Sequence, residues 1–300
     1  MEKINVGFKF REASGDLLSD FLINLNERNK DNLNNLSTCN GVFKDKRVVE
    51  YVFLITRELG LDPQVGYHAV ELLQRFMVKH LMDLSTAHSA ATRSKGSKKS
   101  KNAFEKVQNK FPIIIFSCVQ LASKVSLFSN VINNRMAVQF LHSVGHSVST
   151  KILFETEMMI LKGLEYRLNF PNPLIYVEIL LEVLAHNKPS IPVEDLYDLC
   201  HHILQFVSLQ RTPIFDTLLK ATTQCVSPTT EQREEFVAVT EDNMLLGVTV
   251  ITVATFVQCV NKLKQVVGEL SLITGISKKS ISDFAHVILM HILGSTFSGT

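Results

Sequence analysis

Two long stretches of this chain carry no charged residue, although 20% of its residues are Asp, Glu, Lys or Arg. They are Phe111 to Ala122, FPIIIFSCVQLA, and Met244 to Val260, MLLGVTVITVATFVQCV. A helix that is apolar all round must be covered on every side. Each run is therefore expected to be the buried centre of a helical unit, with the two units in series around Asn169 to Pro173. The second run is at the short edge of the ~17–25 residues that span a bilayer. It holds Thr249, Thr252, Thr255 and Gln258 and has no aromatic belt, so a core helix is expected there and no membrane span.

The surrounding pattern is helical. Leu17, Leu18, Phe21, Leu22 and Leu25 make an amphipathic stripe, with Ser14 and Asp16 before it as capping residues. The Asn-rich stretch Asn24 to Asn40 reads as a linker. A helix fits Lys46 to Leu59, and Gly60 to Pro63 stops it and starts the next, which carries Val70, Leu73, Phe76, Met77 and Leu81. Ser85 to Lys110 is polar and basic and reads as a solvated loop. Its cations Arg93, Lys95, Lys98, Lys99 and Lys101 also fit a nuclear-import or nucleic-acid patch. Pro112 suits the start of the first apolar helix. Further helices are expected over Arg135 to Val144 and Thr150 to Leu168. After NFPNP at Asn169 to Pro173 come Leu174 to Leu184, Val193 to Leu209, Ile214 to Ala221, Met244 to Val266 and Lys278 to Leu293.

Chemical motifs are scarce. No phosphate-binding loop, dinucleotide fingerprint, nucleophile elbow or HExxH occurs. His142 and His146 have a metal-capable spacing on a helix, but no third ligand accompanies them. Neighbours Cys200, His201 and His202 point to different faces of a helix. The five cysteines are odd in number and widely spaced, without a C-x-x-C pair, so they read as small core hydrophobes in a reducing compartment. The start, MEKINVGFKFREASGD, lacks the apolar core of a secretory signal. A net charge of +2 argues against a protein that coats or clamps DNA. Nothing supports a catalytic residue, a cofactor or a metal site, and no enzyme is expected.

The segment Ala122 to Pro173 resembles a cyclin box. LASK at Leu121 to Lys124 ends the buried helix as in cyclins, and TEMMILKGLEYRLNFPNP at Thr156 to Pro173 resembles the fifth helix of the box and its exit. RVVEYVFLI at Arg47 to Ile55 and AVELLQRFM at Ala69 to Met77 resemble the first two helices. More loosely, Leu272 to Leu293 resembles the fourth helix of a second cyclin fold. Within the superfamily, LEYRLNFPNPLIYVE, the basic insertion and the degenerate first helix are most similar to the divergent meiotic group of cyclin N-terminal domain-containing proteins.

That resemblance implies an all-α fold of two tandem cyclin-type domains, the second divergent and lacking or nearly lacking a fifth helix. The implied divisions are 1–41 for an N-terminal helix and linker, 42–170 for the box with its insertion 85–110, and 171–300 for the second domain. It also implies a non-enzymatic regulator of crossover designation in the nucleus, on meiotic chromosomes. Its implied partners are a cyclin-dependent kinase, or recombination factors and ubiquitin-ligase components assembled without kinase activation. Cyclins grip the kinase with a Lys ending the third helix and a Glu on the fifth, positions that match Lys124 and Glu157. Three departures stand out. Val125 and Ser126 follow the Lys where cyclins have acids, and Asp45 and Gln74 replace a buried Arg–Asp pair. Lys44, Arg47 and Tyr51 replace the apolar residues that read Arg-x-Leu substrates.

Overall fold

The protein is described by a computed structural model over residues 10–37, 40–91, 97–126 and 129–297. These residues are all-α, with thirteen α-helices and no strand among them. In chain order the first six are α1 (Gly15–Asn34), α2 (Lys46–Glu58), α3 (Pro63–Ala91), α4 (Ser97–Val125), α5 (Asn134–Ser143) and α6 (Thr150–Gly163). They are followed by α7 (Pro173–Asn187), α8 (Val193–Leu209), α9 (Arg211–Thr223), α10 (Thr230–Thr240), α11 (Asn243–Gln258), α12 (Leu263–Thr274) and α13 (Lys278–Phe297). Two compact units result. One lies within Cys39–Asn172, and the other joins the described residues up to 37 with those from Pro173 onward.

In the unit of α2 to α6, α4 is the central helix and packs against α2, α3, α5 and α6. Its residues from Ile114 to Ser123 are buried without interruption. Burial of this length needs neighbours on all sides, and the four helices supply them. Asp45, Asn133 and Ser149 start α2, α5 and α6 by accepting the N–H of Val48, Met136 and Ile152. In the other unit α11 is central, packed against α1, α7, α8, α12 and α13. Its buried threonines satisfy themselves locally. The hydroxyls of Thr249, Thr252 and Thr255 donate to the carbonyls of Leu245, Val248 and Ile251 at 2.7, 2.8 and 2.8 Å.

Several expectations are corrected. The Asn-rich stretch is not a linker at its start, because α1 runs on to Asn34. Asn29 is buried there, and its amide donates to Asp242 at 2.8 Å and accepts from the Asn243 N–H at 3.2 Å, fixing α1 at the N-terminus of α11. The basic insertion is not a loop over 85–110. α3 continues to Ala91 and α4 begins at Ser97, so Pro112 lies inside a helix rather than at its start. The flanking sequence is rich in Ala and Lys, which favour helix whether or not they are buried. Arg93 and Lys95 fall outside the described residues, while Lys98, Lys99 and Lys101 belong to α4. α6 stops at Gly163, short of Leu168, because Glu165 and Tyr166 both adopt left-handed backbone, φ 53° and 59°.

The apolar run after Met244 is one helix only to Gln258, where Cys259 and a single 3₁₀ turn separate it from α12. Phe256, Val257 and Val260 at its end are exposed rather than buried. α10 has no buried face and so no apolar stripe to reveal it. Its sequence signal is the capping box of Thr229 and Gln232.

The residues before α1 form a docked arm. Phe10 meets the Tyr197 ring edge-on at 5.5 Å, and the buried Glu182 carboxylate accepts the backbone N–H of Arg11 at 2.9 Å. The Arg11 guanidinium donates to Glu194 at 2.6 Å and to the Ile191 carbonyl at 3.1 Å.

Candidate partner-docking site

Lys124 stands in the last turn of α4, and Glu157 in the middle of α6, the helix that packs beside it. The Lys124 ammonium donates to Glu157 Oε1. The pair is lopsided: the Glu157 side chain is 9% exposed and that of Lys124 35%. The carboxylate is thus held in the wall of the unit with an ammonium covering it from the solvent side.

A clip beneath the end of α4 fixes this geometry. Ser123 Oγ accepts the Ile132 N–H at 3.1 Å, and Gln120 Nε2 donates to the Ile132 carbonyl and to Asn134 Oδ1 at 3.2 and 2.9 Å. Buried polar side chains bonded in this way hold the connection to α5 against the helix terminus. Two apolar side chains close to the pair in sequence are exposed. Phe154, one turn before Glu157, is 56% exposed, and Val125 beside Lys124 is also exposed. Residues three apart on a helix share a face. An aromatic side chain and a charge pair with spare donor and acceptor capacity therefore stand together.

Of the residues read as a degenerate substrate patch, Lys44 is withdrawn from the surface. Lys44 is buried and donates to Glu71 Oε1 at 2.7 Å, with side-chain exposures of 8% and 7%. Gln74, one turn along α3 from Glu71, accepts the Phe43 N–H at 3.0 Å. Asp45 caps α2, Arg47 is exposed, and Tyr51 is half-buried, which raises its hydroxyl pKa. A buried charge pair does exist here, displaced from positions 45 and 74. The signal was an acid at position 71, on the same face of α3 as Gln74.

The histidines do not assemble. α5 ends at Ser143, so His142 and His146 are not successive turns of one helix. On α8, Cys200 is buried, His201 meets the Tyr197 ring at 4.6 Å, and His202 bonds the Asp198 carbonyl. No group of three or more His, Cys, Asp or Glu among the described residues could hold a metal ion. Burial pushes the Cys118 and Cys200 thiols far up, which keeps them protonated. No single described helix is long and apolar enough to cross a membrane.

Comparison with known proteins decides the family. The chain is 36% identical over 294 residues to cyclin N-terminal domain-containing protein 1 of Mus musculus, covering 97% of this chain and 88% of that protein. Over 298 residues it is 36% identical to the protein of the same name from Homo sapiens, covering 98% and 90%. The chain belongs to this cyclin-like family. No protein-family model matches it. The cyclin-like assignment agrees with the all-α fold, and the alignments run over nearly the whole chain.

Proposed function

We propose that this cyclin-like chain is a non-enzymatic regulator of meiotic recombination that promotes crossover designation and maturation through protein–protein contacts. It acts in the nucleus, on meiotic chromosomes, and its two helical units are tandem cyclin-type domains. A cyclin-dependent kinase docks on the face of Lys124 and Glu157. The observation that carries this reading is the half-open Lys124–Glu157 pair beside exposed Phe154. An ammonium and a carboxylate held together can donate to and accept from main-chain groups at a partner's helix end. The aromatic side chain supplies the apolar anchor that such contacts need. The meiotic role rests on the resemblance to the meiotic cyclin-like group.

One observation favours a second reading, a scaffold that gathers recombination or ubiquitin-ligase factors without activating a kinase. Burial of Lys44 against Glu71 takes one of the three positions matched to the Arg-x-Leu-reading patch out of reach of a substrate. Affinity purification from meiotic tissue separates the readings. A stoichiometric kinase, lost from the Lys124→Ala/Glu157→Ala variant, is the expected result. Recovery of recombination factors without any kinase establishes the scaffold. Equal kinase recovery by variant and wild type excludes docking through this pair.

A further inference from the structure

A groove of about 490 Å³ opens in the second unit between α11, α12 and α13, far in sequence from the Lys124 face. Its volume is within the ~300–1,000 Å³ range of binding clefts. Phe256, Leu263, Val267, Ala285 and Leu289 make it apolar. Lys264, Lys278 and His286 stand on its edge, all exposed. No Asp or Glu lines it.

The arrangement is not what packing alone requires. α11 is buried without interruption from Leu246 to Thr255, then presents Phe256 at 45% exposure where it meets the groove. Leu293, one turn beyond Leu289 on the same face of α13, is 59% exposed and prolongs the apolar floor. Lys278 reaches across to α12, its ammonium nitrogen 3.9 Å from where a Cβ on Gly268 would stand. Neither Lys264 nor Lys278 has an ion-pair partner among the described residues. Of the nearby acids, Glu269 pairs with Lys188 at 3.3 Å, and Asp283 is not part of the lining. Two cations facing an apolar trough without local neutralisation favour an anionic, apolar occupant over any other.

We propose that this groove docks a short acidic peptide segment of a partner protein, seating apolar side chains on Phe256, Val267 and Leu289 and carboxylates on Lys264 and Lys278. This is separate from the kinase-type face and does not depend on it.

The test pans a displayed library of random short peptides against the full chain and measures enriched peptides by fluorescence anisotropy. Enriched sequences are expected to combine Asp or Glu with Leu, Ile or Phe. Their affinity should fall at least ~10-fold with Lys264→Glu/Lys278→Glu and weaken with added salt. Lys151→Glu, an exposed change in the other unit, should leave it unaltered. Both lysines of the groove are exposed, so the double variant keeps its helical circular dichroism; Phe256→Ala provides a charge-neutral second variant. The proposal is overturned if nothing enriches, if the enriched peptides are basic or uncharged, or if the charge-reversed protein binds them as tightly. It is equally overturned if the chain self-associates and Leu289→Glu abolishes that, because the occupant is then a second copy.

Discussion

The buried pair Lys44–Glu71 makes a demanding test, because removing one charge and removing both should have opposite consequences. Both side chains are over nine-tenths shielded and meet at 2.7 Å. Changing Glu71→Gln strips the ammonium of its counter-charge inside the unit, and changing Lys44→Met strands the carboxylate. Each single change should destabilise the unit of α2 to α6 by about 3–5 kcal/mol. The double variant Lys44→Met/Glu71→Leu exchanges the pair for apolar groups of similar size. It should lie within about 1 kcal/mol of the wild type, or exceed it. With two compact units and no Trp in the chain, a single global transition is a poor readout. Hydrogen exchange followed by mass spectrometry on peptides from α2 to α4 isolates the unit concerned. A Glu71→Gln loss below about 1 kcal/mol, or a double variant as unstable as the worse single, would refute the claim that burial governs this pair.

Four further outcomes follow from the geometry. Lys124→Ala should destabilise its unit by about 1–3 kcal/mol in a denaturation series, since it uncovers a buried carboxylate. Glu157→Ala should cost the fold less, because the freed ammonium is already a third exposed, yet should weaken kinase binding by about 2–5 kcal/mol, mostly through faster dissociation in surface plasmon resonance. At Gly163 an added Cβ would stand 2.8 Å from the fully buried Phe76 ring, so Gly163→Ala should lower stability by about 1–3 kcal/mol, with Phe76→Leu relieving part of the loss in thermal melts. His68 donates from Nε2 to the Leu168 carbonyl at 2.8 Å, and burial lowers its pKa below the ordinary 6.5. The unfolded chain therefore takes up the proton first on acidification. The stability associated with the neutral imidazole is complete above about pH 6.5 and is lost as pH falls from there toward the folded pKa. His68→Gln, which can still donate to Leu168, should flatten that slope in a pH series of exchange rates.

How far the chain could be read ahead of its structure depended on whether burial left a pattern. α4 and α11 were legible because an uncharged helix has one use in a protein of this composition. α8, Val193–Leu209, was legible to the residue from its apolar stripe. α10 was not, having no buried side chain and hence no stripe. The helical ends around 85–110 were hidden for the opposite reason: a polar, basic composition suggests solvent, but helix propensity is indifferent to burial. The Asn29 contacts were hidden because an amide buried for its hydrogen bonds looks the same in sequence as one on a linker. For the docking pair, proximity came from the resemblance. Periodicity alone had no means of bringing α4 and α6 together.

The buried Lys44–Glu71 pair lies close to the positions that the resemblance matched to a buried Arg–Asp pair. The resemblance placed a buried Arg–Asp pair at Asp45 and Gln74. Here Asp45 has become the N-cap of α2, and Gln74 instead accepts the Phe43 N–H. The neighbouring Lys44 and Glu71 carry the charges, each a short step along its segment. The crossing between the pre-α2 loop and α3 is therefore neutral, as a buried charge requires. That solution has a consequence outside the core. Lys44 belongs to the positions from which cyclins read Arg-x-Leu substrates, and a side chain committed to Glu71 cannot also face a substrate. Glu157, by contrast, is anchored by a lysine that still reaches water, so that face keeps charges a partner can use. On the proposed reading, fold and recognition are carried by different ion pairs. Exchange of the buried one for apolar residues should leave docking through Lys124 and Glu157 intact.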